Sequence, residues 1–182
     1  RAVTLLAPGR VSPEMPIEAA ILILLHLQRH HRPGARLLVA STEPGVKEYR
    51  AHLEELAADL SLTGIRSLEN LTTSQWAACF WAANAFLHVA AYDATGAACR
   101  DAVHAGLPVF GLPSGAGADL LGVSAVLSPY EDWGTLAAAI DLCLEDHTVR
   151  AQLLAEQRLR CASSSEAARE AWASFFRQLA PL

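Results

Sequence analysis

Short apolar runs alternate along the chain with longer amphipathic segments, and turn-forming residues bound most of the runs. The short runs have the length of buried strands, and the longer segments carry apolar residues at helical spacing. The predicted strands are Ala2–Ala7, Ala35–Ala40, Gly64–Leu68, Ala85–Val89, Leu107–Leu112 and Ser124–Leu127. The predicted helices are Ile17 to about His31, Val46–Leu60, Thr73–Ala83, Gly96–Ala105, a short one near Gly117, and the region from about Asp132, with breaks near Asp146 and Ser163–Ser165.

This alternation predicts one α/β domain built on a doubly wound parallel sheet. Parallel strands require crossover helices, and right-handed crossovers place those helices on both faces of the sheet. The length of 182 residues fits one such domain. In these sheets ligands bind at the carboxyl ends of the strands, where the strand order reverses. The loops to examine follow Ala7, Ala40, Leu68, Val89 and Leu112.

The composition narrows the classes of ligand and partner. Apolar residues make up 52% of the chain and charged residues 18%, which favours a large core over disorder. The net charge of -5, with no basic cluster, argues against a nucleic-acid partner, because such binding requires a positive face. The longest apolar run, Ile17 to Leu27, is too short for an integral membrane segment.

The cysteine pattern indicates neither a metal site nor a disulfide framework. The four cysteines lie far apart in predicted helices, at Cys79, Cys99, Cys143 and Cys161. None has CxxC spacing, and none forms a cysteine–histidine cluster with zinc spacing. We therefore expect buried, reduced thiols, no bound metal and a cytoplasmic location.

The loop after the first predicted strand contains a candidate anion-binding arginine. Arg10 follows Gly9 just past the strand end and precedes a helix. The planar fork of an arginine can bind a diphosphate through two parallel hydrogen bonds. A solvated surface arginine fits the same position, so this loop alone leaves both interpretations open.

The helix after the fourth predicted strand begins with small residues between two aspartates. Free N–H groups and a positive dipole end near Gly96 and Ala97 suit a phosphate. Asp93 precedes this helix, and Asp101 lies in its first two turns, so both carboxylates can face one crevice. A carboxylate can accept bonds from both hydroxyls of a sugar diol. Asp93 also fits a turn residue, and Asp101 a carboxylate that stabilises the helix dipole.

These segments resemble the motifs of a known enzyme family. Asp93 to Val109, with Gly96 between the aspartates and the tail AGLPV, resembles E-G-F-G…E-A-M-A-x-G-x-P-V. Residues 9–16 resemble G-R-x-x-P-E-K-G, residues 115–121 resemble G-G-x-x-E-h-h, and residues 83–87 resemble an A-D strand entry. The family comprises retaining glycosyltransferases of the GT-B class, such as glycogen synthase, which have two Rossmann-like domains. The resemblance extends from roughly Val3 to Leu144 and is to the C-terminal domain.

The resemblance implies a site for a nucleotide-diphosphate sugar and a hexosyl-type transfer with retention. Arg10 would bind the diphosphate, Asp93 the hydroxyls of the donor sugar, and Asp101 the ribose diol. Arg10 and Asp93 would thus be the catalytic pair. The family requires no metal or other cofactor for catalysis.

Further donor contacts are implied for the backbone and for small residues. Gly96 and Ala97 would admit the phosphates, with Gly9 beside the diphosphate-binding arginine. Backbone groups near Leu68 and Leu71 would meet the base.

The chain departs from the family pattern in its charges. Met15 stands where the family has a lysine, and both glutamates are replaced by aspartates one methylene shorter. One interpretation is an active site in which a cation from elsewhere, Lys47, Arg100 or His104, replaces the lysine. The alternative is a catalytically degenerate domain that acts as a binding or interaction scaffold. A nicotinamide-binding domain is disfavoured because no GxGxxG follows the first strand.

The resemblance also implies a partner for this chain. The sequence begins at Arg1 without a signal peptide and reads as one nucleotide-sugar-binding domain over residues 1–182, with a helical tail from about residue 163. An N-terminal acceptor-binding domain, or a partner chain, would hold the acceptor. The tail carries an apolar stripe that could brace such a domain, fold onto this one, or support a homo-oligomer: Ala167, Trp172, Phe175, Phe176 and Leu179.

Overall fold

A single parallel sheet forms the centre of the molecule. The computed structural model describes residues 2–90, 94–122, 126–127 and 132–179. Within these ranges the strands are β1 (Thr4–Pro8), β2 (Arg36–Ala40), β3 (Ile65–Leu68), β4 (Ala85–His88), β5 (Val109–Gly111) and β6 (Val126–Leu127). Their order is β3-β2-β1-β4-β5-β6, and every neighbouring pair is parallel. This is the doubly wound arrangement that the sequence predicts.

Helices cover both faces of the sheet. They are α1 (Ile17–His30), α2 (Lys47–Asp59), α3 (Thr73–Ala82), α4 (Ala97–His104), α5 (Gly115–Leu121), α6 (Trp133–Glu145) and α7 (His147–Leu179). One apolar cluster joins α1, α2 and α6 to the first face, and a second cluster joins α3, α4, α5 and α7 to the other. Adjacent strand residues alternate between the clusters, as Leu5 and Leu6 do, and both are fully buried. Burial on both faces explains why the strands read as continuous apolar runs.

Polar side chains set several helix ends. Thr72 caps α3 in a capping box with Gln75. Asp146 separates α6 from α7, as predicted, and accepts hydrogen bonds from Thr148 N at 2.7 Å and Val149 N at 3.2 Å. These backbone N–H donors lower the pKa of Asp146 because they stabilise the ionised carboxylate.

The predicted break at Ser163–Ser165 is wrong, because α7 continues through it. Ser163 Oγ donates to Leu159 O at 2.8 Å, and Ser165 Oγ donates to Cys161 O at 2.9 Å. Serines that bond one turn back along the helix satisfy their hydroxyls without ending it. The helical tail therefore belongs to a helix that begins at His147, and does not start anew near residue 163.

The first half of α7 is attached to the sheet by a buried amide. Gln157 is fully buried, accepts from Val109 N at 3.2 Å and donates to Val109 O at 3.1 Å. Beyond Cys161, which is buried, residues 162–173 are exposed. Ala167 and Trp172 of the apolar stripe are therefore exposed, while the side chains of Phe175, Phe176 and Leu179 lie outside the described part of the chain.

Two further expectations concern the state of the cysteines and the presence of a membrane-spanning helix. All four cysteines are buried and free, as predicted. None of the helices within the described ranges combines the length and apolar composition needed to cross a membrane.

Gly111 lies where β5 closely approaches β4, and its substitution tests the importance of this contact. Its φ is +148°, and a Cβ at this position would overlap the carbonyl oxygen of His88. We expect Gly111→Ala to lower the free energy of unfolding by about 3 kcal/mol. The alanine would have to adopt an unfavourable positive φ, and its Cβ would overlap the His88 carbonyl oxygen. Gly34→Ala is the matched control, since a Cβ there meets no atom within 4 Å, and it should change stability by less than about 0.5 kcal/mol. Denaturant unfolding measures both, and equal stabilities would contradict the expectation.

Candidate functional site

The strand order reverses between β1 and β4, and the loops after these two strands flank the reversal. We call residues 9–16 the β1–α1 loop and residues 89–96 the β4–α4 loop. The β1–α1 loop leads to the α1 face and the β4–α4 loop to the opposite face. A crevice between diverging loops is where ligands bind in such sheets. The β1–α1 loop and the described ends of the β4–α4 loop, residues 89–90 and 94–96, lie there, while Asp93 is outside the described residues.

Arg10 lies exposed at the carboxyl end of β1. Its Nε donates to the carbonyl oxygen of Pro44 at 3.1 Å, which turns the side chain towards the loop after β2. The terminal nitrogens make no hydrogen bond to another described residue. This geometry holds the base of the guanidinium fork and leaves its two outer nitrogens available to an anion.

Met15 is turned inward in the same loop. Its side chain lies directly against Gly9, so that a Cβ on Gly9 would overlap the methionine methyl group. Met15 is partly buried and packs against the cluster on the α1 face. An uncharged side chain therefore occupies the position at which the family motif has its lysine.

A polar cluster on α1 and α2 supports this loop from behind. The hydroxyl of Tyr49 bonds to Glu18 and lies 3.0 Å from the carbonyl oxygen of Met15. His52 Nε2 lies 3.3 Å from Glu18 Oε1. Burial raises the pKa of Tyr49, and the bond to Glu18 acts in the same direction. The cluster contacts the loop through the backbone of Met15, which makes Tyr49 a support for the loop.

Gly96 directly precedes α4 as its N-cap and has a left-handed backbone, at φ +63°. A Cβ on Gly96 would lie 3.0 Å from the carbonyl oxygen of Ala116, so α4 packs closely on the start of α5. Thr95 Oγ1 accepts from Ala97 N at 3.3 Å. The fold therefore requires this glycine for its backbone and packing, and the phosphate contacts implied for Gly96 and Ala97 stay predictions.

Asp101 is exposed on α4 and lines a cavity of about 370 Å³ between α3 and α4. Thr73 and Trp76 line the same cavity from α3, and His104 lines it from α4. The carboxylate thus borders a space large enough for part of a small ligand. Arg10 lies on a different loop and does not line this cavity.

The backbone expected to meet a base is already engaged within the protein. Leu68 O accepts from Ser41 N at 2.9 Å, and Leu71 N donates to Ser41 O at 3.1 Å. The Leu68 side chain is 40% exposed. These two bonds tie the loop after β3 to the loop after β2, and the base contacts implied for Leu68 and Leu71 stay predictions.

The cations considered as substitutes for the missing lysine lie in different places. Lys47 is the exposed first residue of α2, three positions after the Pro44 that Arg10 contacts. Arg100 has a buried Nε with no partner among the described residues, and its charge acts on the Cys161 thiol of α7. His104 lies in the last turn of α4, away from the N-terminus of that helix. Lys47 is therefore the nearest of the three to the Arg10 loop along the chain.

One set of contacts at this edge has no signal in the sequence. Glu69 accepts from Gly45 N at 2.8 Å and pairs with Arg50 at 2.6 Å. The partners lie 24 and 19 residues from Glu69, so no local pattern connects them. Gly45 follows a proline and reads simply as a turn.

Comparisons with known proteins identify the fold. No family model matches the chain, and no curated protein matches its sequence. The sucrose-phosphate synthase of Thermosynechococcus elongatus matches with a TM-score of 0.76 and 22% identity over 98% of this chain and 45% of its own. OtsA in its apo form matches with a TM-score of 0.78 and 17% identity over 99% of this chain and 44% of its own.

A third match was solved with ligands. The pneumococcal O-GlcNAc transferase GtfA, in complex with UDP and GlcNAc, matches with a TM-score of 0.66 and 17% identity over 92% of this chain and 35% of its own. The chain thus spans less than half the length of these GT-B glycosyltransferases. Their likeness confirms the Rossmann-like GT-B fold, and its extent is that of one domain.

The Tyr49 cluster predicts a stability that depends on pH. A raised phenol pKa means that the fold keeps a proton which the unfolded chain releases above about pH 10. The associated stability is therefore complete below pH 10 and is lost as the pH rises further. We expect Tyr49→Phe to lower the free energy of unfolding by about 1 kcal/mol at pH 8, and by less at pH 10.5. Denaturant unfolding of both proteins at both pH values tests this, and an unchanged difference would contradict it.

Proposed function

We propose that this chain is the donor-binding domain of a glycosyltransferase and binds a nucleotide-diphosphate sugar. An acceptor held by an N-terminal domain or partner chain would receive the hexosyl-type glycosyl group with retention. The bond from sugar C1 to the leaving diphosphate breaks, and a bond from C1 to an acceptor hydroxyl oxygen forms. The hydroxyl proton leaves with the nucleoside diphosphate. The four cysteines are buried and free, which supports a cytoplasmic site of action.

The observation that carries this proposal is the position of Arg10. It lies exposed beside the strand-order reversal, with Nε held by Pro44 and its outer nitrogens unbonded among the described residues. A guanidinium at this place can stabilise the charge that develops on a leaving diphosphate. Asp101, on the other side of the reversal, offers a carboxylate to the ribose diol, and Asp93 would contact the donor sugar.

Met15 favours a second candidate function. Its inward packing on Gly9 leaves the position of the family lysine without charge. Such a domain could bind a nucleotide sugar weakly and serve as a catalytically degenerate scaffold. In the active alternative, a neighbouring cation compensates, and the position of Lys47 at the start of α2 makes it the first choice.

Titration with nucleotides tests the donor site. We expect calorimetry to detect binding of UDP, GDP or ADP, or of the corresponding nucleotide sugars, to the chain. Arg10→Ala should weaken this binding about 10- to 100-fold, because a charge-assisted phosphate contact is lost. Asp101→Ala should weaken it about tenfold, through the lost ribose contact.

The controls carry the same substitutions at exposed positions away from the crevice. Arg29→Ala, near the end of α1, and Asp59→Ala, at the end of α2, should bind as the unmodified chain does. No binding of any nucleotide at millimolar concentration would contradict donor binding. Binding that survives in both Arg10→Ala and Asp101→Ala would place the ligand elsewhere.

Restoring the missing charge provides a converse test. Met15→Lys should raise UDP affinity about five- to tenfold at low salt, since the lysine stem can replace the methionine against Gly9 while its ammonium reaches the crevice. Met15→Gln is the control, because it makes a similar change in packing without adding charge. The gain should shrink as the ionic strength rises. Equal UDP affinities of the two variants would show that residue 15 does not face the diphosphate.

A further inference from the structure

Glu69 ties together loops that are distant in sequence. It lies in the β3–α3 loop, residues 69–72, and its Oε2 accepts from Gly45 N at 2.8 Å. Arg50 Nη2 donates to both carboxylate oxygens at 2.6 Å, and Arg50 Nε donates to Oε1 at 3.1 Å. The Glu69 side chain is only 13% exposed. Both oxygens are engaged by the protein, which suits a structural link better than a ligand contact.

The packing around Gly45 makes this link tight. Gly45 lies in the β2–α2 loop, residues 41–46. A Cβ on Gly45 would lie 2.7 Å from Glu69 Oε1 and 2.9 Å from Val11 Cβ. Gly45 is therefore in close contact with both Glu69 and Val11 of the β1–α1 loop, with no room for a side chain at this position.

The two neighbours of Gly45 contact the β1–α1 loop directly. Val46 N donates to Val11 O at 2.7 Å. The carbonyl oxygen of Pro44 accepts from Arg10 Nε at 3.1 Å. Glu69 therefore holds Gly45, and the two neighbours of Gly45 hold the β1–α1 loop. Pro44 holds Arg10, and Val46 holds Val11, the next residue.

We infer that Glu69 is a positioning residue for Arg10, acting through Gly45 and the Pro44 carbonyl. The inference rests on the proposed function, because the ligand of Arg10 is the donor diphosphate. An exposed arginine loses rotamer freedom when it binds an anion, and a carbonyl that already holds Nε removes part of that loss. Glu69 keeps that carbonyl in place.

Glu69→Gln tests the linkage while preserving shape. The amide nitrogen replaces one of the two carboxylate oxygens and faces N–H donors there, so the variant loses the bonds at that oxygen together with the charge that pairs with Arg50. We expect Glu69→Gln to weaken UDP binding about five- to tenfold, and to weaken it less than twofold when Arg10→Ala is also present. Arg50→Lys, which keeps the charge and loses the guanidinium fork, should also weaken UDP binding. Glu55→Gln, exposed on α2, is the matched control and should have no effect.

A measurement without ligand separates this inference from the proposed function. Hydrogen exchange of the Val46 amide should accelerate at least about tenfold in Glu69→Gln and stay unchanged in Glu55→Gln, because the Val46–Val11 bond depends on the held loop. An unchanged Val46 exchange rate would overturn the linkage. Equal losses of UDP affinity with and without Arg10→Ala would overturn the route through Arg10. Failure of the unmodified chain to bind UDP, GDP and ADP alike would count against the donor site, while the exchange measurement would still decide the linkage.

Discussion

The central strands are buried on both faces, and this burial determines where the other elements can lie. Leu5 packs into the α1 face and Leu6 into the α4 face, and Leu87 and Phe86 of β4 divide in the same way. A strand buried in this manner needs helices on both sides. The chain satisfies the requirement by leaving β1 towards one face and β4 towards the other. Because the two loops diverge so that helices can cover both faces of the sheet, a crevice lies between them.

The candidate site places few charged side chains at this crevice. The contacts that hold these side chains come from neighbouring loops and helices. Arg10 is exposed and Met15 is turned inward, while the contacts that hold their loop come from Tyr49, Pro44 and Val46. Glu69, in the β3–α3 loop, accepts a hydrogen bond from Gly45, which lies between Pro44 and Val46. By the inference above, the direction of the arginine depends on contacts with the neighbouring loops. In such a site, changes behind the loops act on binding as well as changes at the surface.

Most of the fold follows from local pattern, because strand and helix periods are visible over a few residues. The sequence predicts the second strand at Ala35–Ala40, and it lies at Arg36–Ala40; the first helix begins at Ile17, as the sequence predicts. Local pattern failed at Ser163–Ser165, where serine hydroxyls bond back along the helix and leave it intact. It also could not identify Glu69, whose role rests on contacts 19 and 24 residues away.

The amino-acid sequence by itself determined the alternation of strands and helices, and with it the position of Arg10 and Gly96 in loops at the carboxyl ends of strands. These features follow from hydrophobic periods and turn residues, which are local. Only the tertiary structure decided that Arg10 turns to Pro44, that Met15 packs on Gly9, and that Asp101 borders the cavity between α3 and α4. The direction of a loop side chain depends on which loops meet at the sheet edge, and those loops are brought together by the sheet and not by their spacing along the chain.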